Sequence, residues 1–433
     1  MTIVTYEEIC AYIYGIPKFA EKNDLGHTRE LLTRLGISEQ EFQIFHVAGS
    51  NGKGSVCAFL NQALLAADCP TGMFTSPHLV CMEERFVANG VRCTREEFAA
   101  CFYEVFDVVQ QMRAEGLAHP SFFEYLFAMG MCFFRKKQVR YLVLETGLGG
   151  RLDATNVFEK KLLTIITSIS LEHTEYLGDT IADIAGEKAG IIRENVPLVF
   201  DASCEEAAGV LRRAAKRKQA PCYGISYEKI KFHANDGKYI DFSYSDGYDE
   251  VELKIPFPAV YQMMNATLAY RALSLVRDQI GLTGEEIAAA MRETKWPGRM
   301  QAVTPEIYFD GAHNADAVEQ LVHSVKQLET EKPILLFAMM REKDYRTAIR
   351  SLCRQIAWEQ VIVTRVADER GLDTKTLREE FEKNGQRVTE KPDSQSAYAY
   401  AVEQKRAGQL LFCAGSLYFI GELERIVEGD QND

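Results

Sequence analysis

The stretch Phe45 to Ser55, FHVAGSNGKGS, restricts what this chain can fold into more than any other. It sets a glycine-rich turn between an apolar run, Phe42 to Val47, and a helix pattern that continues to about Ala67. Gly49, Gly52 and Gly54 let the backbone turn tightly and aim N–H groups at an anion. Lys53 has the reach for terminal phosphates, Ser55 offers a hydroxyl to Mg²⁺, and the helix N-terminus adds partial positive charge. Gly54 separates Lys53 from Ser55, so the spacing departs from the strict GxxxxGK[ST] form, and an ordinary flexible loop is the competing reading. The strand–loop–helix setting favours a phosphate cradle.

Two further apolar runs read as strands buried on both faces, as parallel strands are. Val139 to Leu144 is terminated by Glu145 and the loop TGLGGRLDATN at 146–156, and Leu162 to Ile169 leads into Ser170-Leu171-Glu172-His173. Ligands of open parallel sheets bind beyond the carboxyl ends of the strands. Three such ends here carry the cradle, a carboxylate, and a carboxylate–imidazole pair, a set that suits a divalent metal needing one or two protein ligands besides water and phosphate oxygens. After a short strand at 71–75, Pro77 pushes Ser76 into an extended conformation that holds its hydroxyl toward a site, with a plain turn as the alternative. Taken singly, Glu145 reads equally as a helix cap and His173 as a structural residue; their coincidence at strand ends argues against that. Glu124, in the helix start Ser121-Phe122-Phe123-Glu124, either caps its helix or faces a substrate. Lys188, in a helix pattern from Thr180 to Arg193, reads as a solvated surface charge, and the basic run Arg212 to Lys218 as a solvated helix face or a seat for an anionic tail.

At 433 residues the chain exceeds one compact core, so two domains are expected. Residues 196–255 turn mostly to β structure after one basic helix, with hairpins at Asp236-Gly237 and Asp246-Gly247, and a helix from Tyr261 to Arg277 carries Gln262 and Asn265. Trp296-Pro297-Gly298 then breaks the pattern, and strands and helices alternate again, with a strand-end cluster Asp310-Gly311-Ala312-His313-Asn314. The expected fold is α/β: an N-terminal parallel-sheet domain at 1–296, a smaller Rossmann-like domain at 297–433, a hinge at Pro297-Gly298 and a substrate cleft between the domains. A formal charge of −13 argues against broad binding of nucleic acid or anionic membrane. No apolar run nears the roughly 18 residues of a membrane span, and the N-terminus has no signal-peptide pattern, so a cytoplasmic protein is expected. Its 11 cysteines, without a CxxC pair, read as reduced core thiols.

Seven motifs in order closely resemble the folylpolyglutamate synthase and dihydrofolate synthase family of Mur-type amide ligases: HVAGSNGKGSV at 46–56, TSPHL at 75–79, ETGLGGRLDATN at 145–156, EKAGI at 187–191, PGRM at 297–300, DGAHN at 310–314 and GSLY at 415–418. The resemblance covers nearly the whole chain. It implies ATP in a phosphate loop of Gly49, Asn51, Gly52, Lys53, Gly54 and Ser55, with further ATP contacts from Asn265, Arg299, Asp310 and His313. It also implies Mg²⁺ at two sites held through Ser76, Glu145 and His173, with K⁺ as a further candidate ion, and catalytic roles for Lys53, Glu145, His173 and Lys188. The lysine matching Lys188 is commonly carbamylated in such enzymes, which replaces the surface-charge reading with a metal ligand. Ser50, Thr146, Glu172, Ala315 and Glu342 depart mildly from the family's usual Thr, Val, Asp, Pro and Asp.

The implied reaction is phosphorylation of a substrate carboxylate by ATP to an acyl phosphate, which the amino group of L-glutamate attacks to form an amide. The resemblance implies dihydropteroate or a reduced folate as that carboxylate, small molecules as the only partners, and a monomer; Phe122 to Glu124 and Gly150 to Thr155 are candidate pterin-pocket segments. A muropeptide ligase fits less well because only about 45 residues precede the cradle, and a kinase or nucleotide switch leaves Asp310 and His313 unexplained.

Overall fold

The apolar runs form the middle of one sheet. In the structure, a computed structural model that describes residues 5–17, 24–247, 250–328 and 330–430, eight strands are β1 (Gln43–Ala48), β2 (Thr71–Phe74), β3 (Phe86–Ala88), β4 (Val91–Arg92), β5 (Tyr141–Glu145), β6 (Leu163–Ile166), β7 (Leu198–Asp201) and β8 (Cys222–Ile225). Their order is β4-β3-β2-β5-β1-β6-β7-β8. All neighbours from β2 to β8 pair in parallel, while β3 and β4 are added antiparallel at one edge. Phe45, Val47, Val143, Leu144, Ile165 and Ile166 are fully buried, as expected for strands covered on both faces. Register aligns Val47 with Glu145 and Ala48 with Ile166, so the three expected strand ends reach the same edge side by side.

Helix Lys53–Ala66 buries Val56, Phe59, Leu60, Ala63 and Leu64. Helix Phe122–Lys136 is apolar almost all round and lies inside the core, as that composition requires. Its start carries a capping box between Ser121 and Glu124, and Glu124 also accepts a hydrogen bond from Thr28 at 3.0 Å, so Glu124 serves as a cap. Helix Glu205–Arg217 follows β7 and precedes the parallel strand β8, so it runs away from the carboxyl edge and carries Lys216 and Arg217 about 20 Å from its start. Arg212 pairs with Glu205 at 2.8 Å. Lys216 and Arg217 complement the helix dipole at the edge opposite the glycine-rich loop.

The chain forms two compact units, Met1–Tyr227 with Asn265–Met291, and Glu228–Met264 with Arg292–Asp433. This differs from the single cut expected at 296/297. The antiparallel sheet β9 (Ile230–Asn235), β10 (Ile240–Ser245) and β11 (Glu250–Ile255) belongs with the second unit, where the Tyr308 hydroxyl donates to the carbonyl of Gly237 at the hairpin turn. The other sheet of that unit has β12 (Gln301–Thr304), β13 (Ile307–Asp310), β14 (Ile334–Phe337), β15 (Gln360–Val363), β16 (Val388–Glu390) and β17 (Leu411–Ala414), ordered β12-β13-β17-β14-β15-β16. All its pairs are parallel except β12 with β13. Among the described residues no helix is long and apolar enough to cross a membrane.

Candidate active site

The loop after β1 is tied down rather than flexible. Ser50 N donates to the carbonyl of Ser168 at 2.7 Å, Thr167 Oγ1 to the carbonyl of Asn51 at 2.6 Å, and Ser50 Oγ both donates to and accepts from the backbone of Ser170 at 3.1 Å. All these partners lie on the segment leaving β6. Gly49 has φ +149°, and a Cβ there would lie 1.7 Å from Thr167 Oγ1. Gly52 has φ +86°, and its Cβ would lie 2.2 Å from Asn265 Oδ1, which places Asn265 directly against the loop. Gly54 differs from expectation: it lies in the first turn of helix Lys53–Ala66, not in the turn before it. The N–H groups of Lys53, Gly54 and Ser55 are therefore first-turn amides, the position at which helix N-termini meet anions.

Two lysines converge on this loop. Lys53 Nζ donates to the carbonyls of Gly49 and Ser50, each at 2.9 Å. Lys188 Nζ donates to the same Gly49 carbonyl at 2.8 Å and to Glu172 Oε1 at 2.8 Å. Lys188 is 1% exposed, which overturns the surface-charge reading; helix Ile181–Lys188 ends with that side chain turned inward. Burial pulls its amine down to about 8 against the opposing pull of Glu172. Burial alone raises the Glu172 carboxyl, but Lys188 and Lys53 outweigh it and hold it at about 2. The pair is thus charged at neutral pH.

Glu145 is buried at the end of β5, and its Oε2 accepts the N–H of Ser76 at 3.0 Å, joining the ends of β5 and β2. His173 is exposed in a left-handed conformation at the start of the short helix Thr174–Leu177. Among the described residues no group of three or more His, Cys, Asp or Glu side chains is arranged to hold a metal ion. Ser55, Ser76 and Glu145 instead provide hard oxygen donors at the neighbouring ends of β1, β2 and β5. That donor chemistry fits Mg²⁺, which keeps waters and phosphate oxygens in its shell.

The loop at 146–156 is clamped beside Lys188. Arg151 N donates to the carbonyl of Glu187 at 2.8 Å, and Asn156 Nδ2 to that of Gly190 at 3.1 Å. Asp153 accepts from the N–H groups of Gly147, Leu148 and Thr155. His46 Nε2 donates to Thr155 Oγ1 at 2.8 Å, and Thr155 donates on to Asp153. Burial holds the His46 imidazole well below its ordinary range, so it is neutral. Sequence reasoning gave His46 no role, because a histidine inside an apolar strand looks like core; its place in HVAGS, opposite DATN, was the available signal.

Arg299, Asp310 and His313 lie in the second unit. Asp310, at the end of β13, accepts from Tyr261 Oη at 2.7 Å, Met300 N at 2.9 Å and Ala312 N at 2.8 Å. Burial raises its carboxyl, with Arg299 the chief opposing influence. Asp310 thus braces the turn that carries the other two. His313 Nδ1 donates to the carbonyl of Gly311 at 2.8 Å, and a Cβ on Gly311 would lie 2.6 Å from Arg299 Nη1.

The Mur ligase glutamate ligase domain model matches residues 298–417. The chain is 32% identical over 429 residues to the dihydrofolate synthase/folylpolyglutamate synthase of Bacillus subtilis (strain 168), covering 97% of this chain and 98% of that protein. It is 31% identical over 434 residues to the dihydrofolate synthetase of Saccharomyces cerevisiae, covering 93% and 98%. Among solved structures, Escherichia coli FolC in complex with DHPP and ADP matches at a TM-score of 0.85, with 26% identity and 99% of both chains covered. A glycine-rich loop met by two lysines, a parallel sheet whose strand ends meet at it, and likeness to these proteins along nearly the whole chain converge: the chain belongs to the dihydrofolate synthase/folylpolyglutamate synthase family.

Proposed function

We infer that this protein is an ATP-dependent ligase that joins L-glutamate through an amide bond to a folate-type carboxylate, taking dihydropteroate as well as reduced folates. The observation that carries this reading is the convergence of Lys53 and Lys188 on the Gly49 carbonyl, beside the strand-end carboxylate Glu145. Support comes from the relatives' names, which pair both activities in the Bacillus subtilis protein. The first unit would bind nucleotide and the second, which contains the glutamate ligase match, would contribute Arg299, Asp310 and His313.

A carboxylate is a poor acylating agent, so ATP must first supply a leaving group. The first-turn amides and Lys53 bind the phosphates and offset charge on the transferring phosphoryl group. Asn265 fixes the nucleotide against the loop. Ser55, Ser76 and Glu145 would hold Mg²⁺, which would supply charge neutralisation for the phosphates. Burial lowers the Lys188 amine, which suits it to carbamylation; that would exchange the ion pair with Glu172 for a carboxylate able to hold a second ion. The amine of glutamate then displaces phosphate from the acyl phosphate. All 11 cysteines are free thiols, which supports assignment to the reducing cytoplasm.

The test is product formation from dihydropteroate and from tetrahydrofolate side by side, each with ATP and glutamate, resolved by mass. Addition of one glutamyl residue to both is expected. Addition to tetrahydrofolate alone would withdraw the dihydropteroate activity, and addition to neither would remove the reading.

A further inference from the structure

Four side chains from four separate segments of the first unit close a ring of contacts. Tyr14 ends helix Tyr6–Tyr14, His78 lies in the loop after β2, Arg85 ends the 3₁₀ turn Met82–Arg85, and Phe122 begins helix Phe122–Lys136. Tyr14 Oη lies 3.1 Å from His78 Nε2, and Arg85 Nε donates to His78 Nδ1 at 2.9 Å. The Arg85 guanidinium stands 5.7 Å from the centroid of Phe122, whose ring stacks on Tyr14 at 6.1 Å and 18°. Arginine can only donate, so Nδ1 of His78 accepts and the imidazole proton sits on Nε2, where it donates to the Tyr14 oxygen.

The loop bearing His78 is held as firmly. Leu79, Val80 and Cys81 donate their backbone N–H groups to Glu84 at 2.7, 2.9 and 2.9 Å. His78, Arg85 and Phe122 are buried, yet Tyr14 is 55% exposed. An exposed aromatic ring pinned at its hydroxyl and on one face loses little further freedom when a flat partner stacks on it. Its location selects the partner. The cluster hangs on the loop after β2, and β5 separates β2 from β1, whose loop takes phosphate. Two strand spacings, roughly 10 Å, separate the ends of β2 and β1. Asn265, by contrast, touches the cradle itself.

We propose that Tyr14 is a specificity-determining contact for the flat heteroaromatic part of the carboxylate substrate, and that Arg85, acting through His78, is the positioning residue that holds it. This rests on the ligase reading above. Steady-state kinetics of the full chain test it. Tyr14→Ala should raise the KM for dihydropteroate about tenfold or more and leave the KM values for ATP and glutamate unchanged. Tyr14→Phe, which keeps the stack, should fall between wild type and Tyr14→Ala. Arg85→Met should shift the dihydropteroate KM in the same direction, and Arg85→Lys, which restores a donor to His78, should recover most of it. An unchanged dihydropteroate KM in Tyr14→Ala, or an equal rise in the KM for ATP, would overturn the proposal while leaving the ligase reading intact. A wild-type protein that consumes no pterin carboxylate would overturn both.

Discussion

At the scale of single residues, the site depends on one carbonyl shared by two ammonium groups. Gly49 O accepts from Lys53 and Lys188, and Glu172 balances the second of these. Lys53→Met should retain the fold by circular dichroism but lower kcat by about 100- to 1000-fold, the usual effect of removing a donor that meets developing charge. Glu172→Gln leaves a buried amine without its carboxylate and should destabilise the protein by about 3–5 kcal/mol in urea unfolding near pH 7. The pH dependence has a definite sign. Glu172, held at about 2, contributes stability that is full above the ordinary carboxylate range and lost as pH falls through 2. Lys188 is depressed to about 8, so its charge opposes folding below that value and the opposition is relieved as pH rises through 8. Without Glu172 the Lys188 amine gives up its proton at lower pH, so the gap between wild type and Glu172→Gln should narrow as pH rises toward about 8, where the wild-type amine also loses its proton, and stay level above that. A constant gap would mean that the pair is not ionic in the folded protein.

At the scale of elements, the strand-to-helix turn after β1 requires glycine where it approaches other backbone segments. Gly49→Ala combines φ +149° with a collision at Thr167 Oγ1, and should cost about 1–3 kcal/mol. It should also abolish the rise in melting temperature that nucleotide produces in the wild type. Gly186, in helix Ile181–Lys188, has open space at its Cβ, so Gly186→Ala should raise stability by about 0.5–1 kcal/mol. Equal effects at the two positions in thermal unfolding would contradict the role given to Gly49. The elements that carry the site were legible because β1, β5 and β6 are runs of apolar residues ended by polar ones. Those that escaped are of another kind. β16 is a three-residue edge strand with no fully buried residue, and helix Thr374–Lys383 buries only Leu377 and Phe381. The strand is too short to show a period, and the helix, though amphipathic, marks its buried face with only two apolar anchors. The inward turn of Lys188 escaped because periodicity says where a helix face points, not what a subsequent 3₁₀ turn packs against. The motif resemblance supplied what the spacing lacked.

At the scale of the whole molecule, the glycine-rich loop lies in the first unit and the glutamate ligase match in the second. The boundary between the units was only partly legible: Pro297-Gly298 marks a break in pattern, but the β9–β11 sheet precedes that break in sequence and packs with residues C-terminal to it, Tyr308 among them. Such long-range packing leaves no local trace. The most direct measurement uses dihydropteroate labelled with ¹⁸O in its carboxylate, incubated with ATP, glutamate and the full chain. Transfer of one ¹⁸O into inorganic phosphate, dependent on the pterin substrate and accompanied by amide product, is predicted. Unlabelled phosphate released at the same rate without pterin or glutamate would contradict the account.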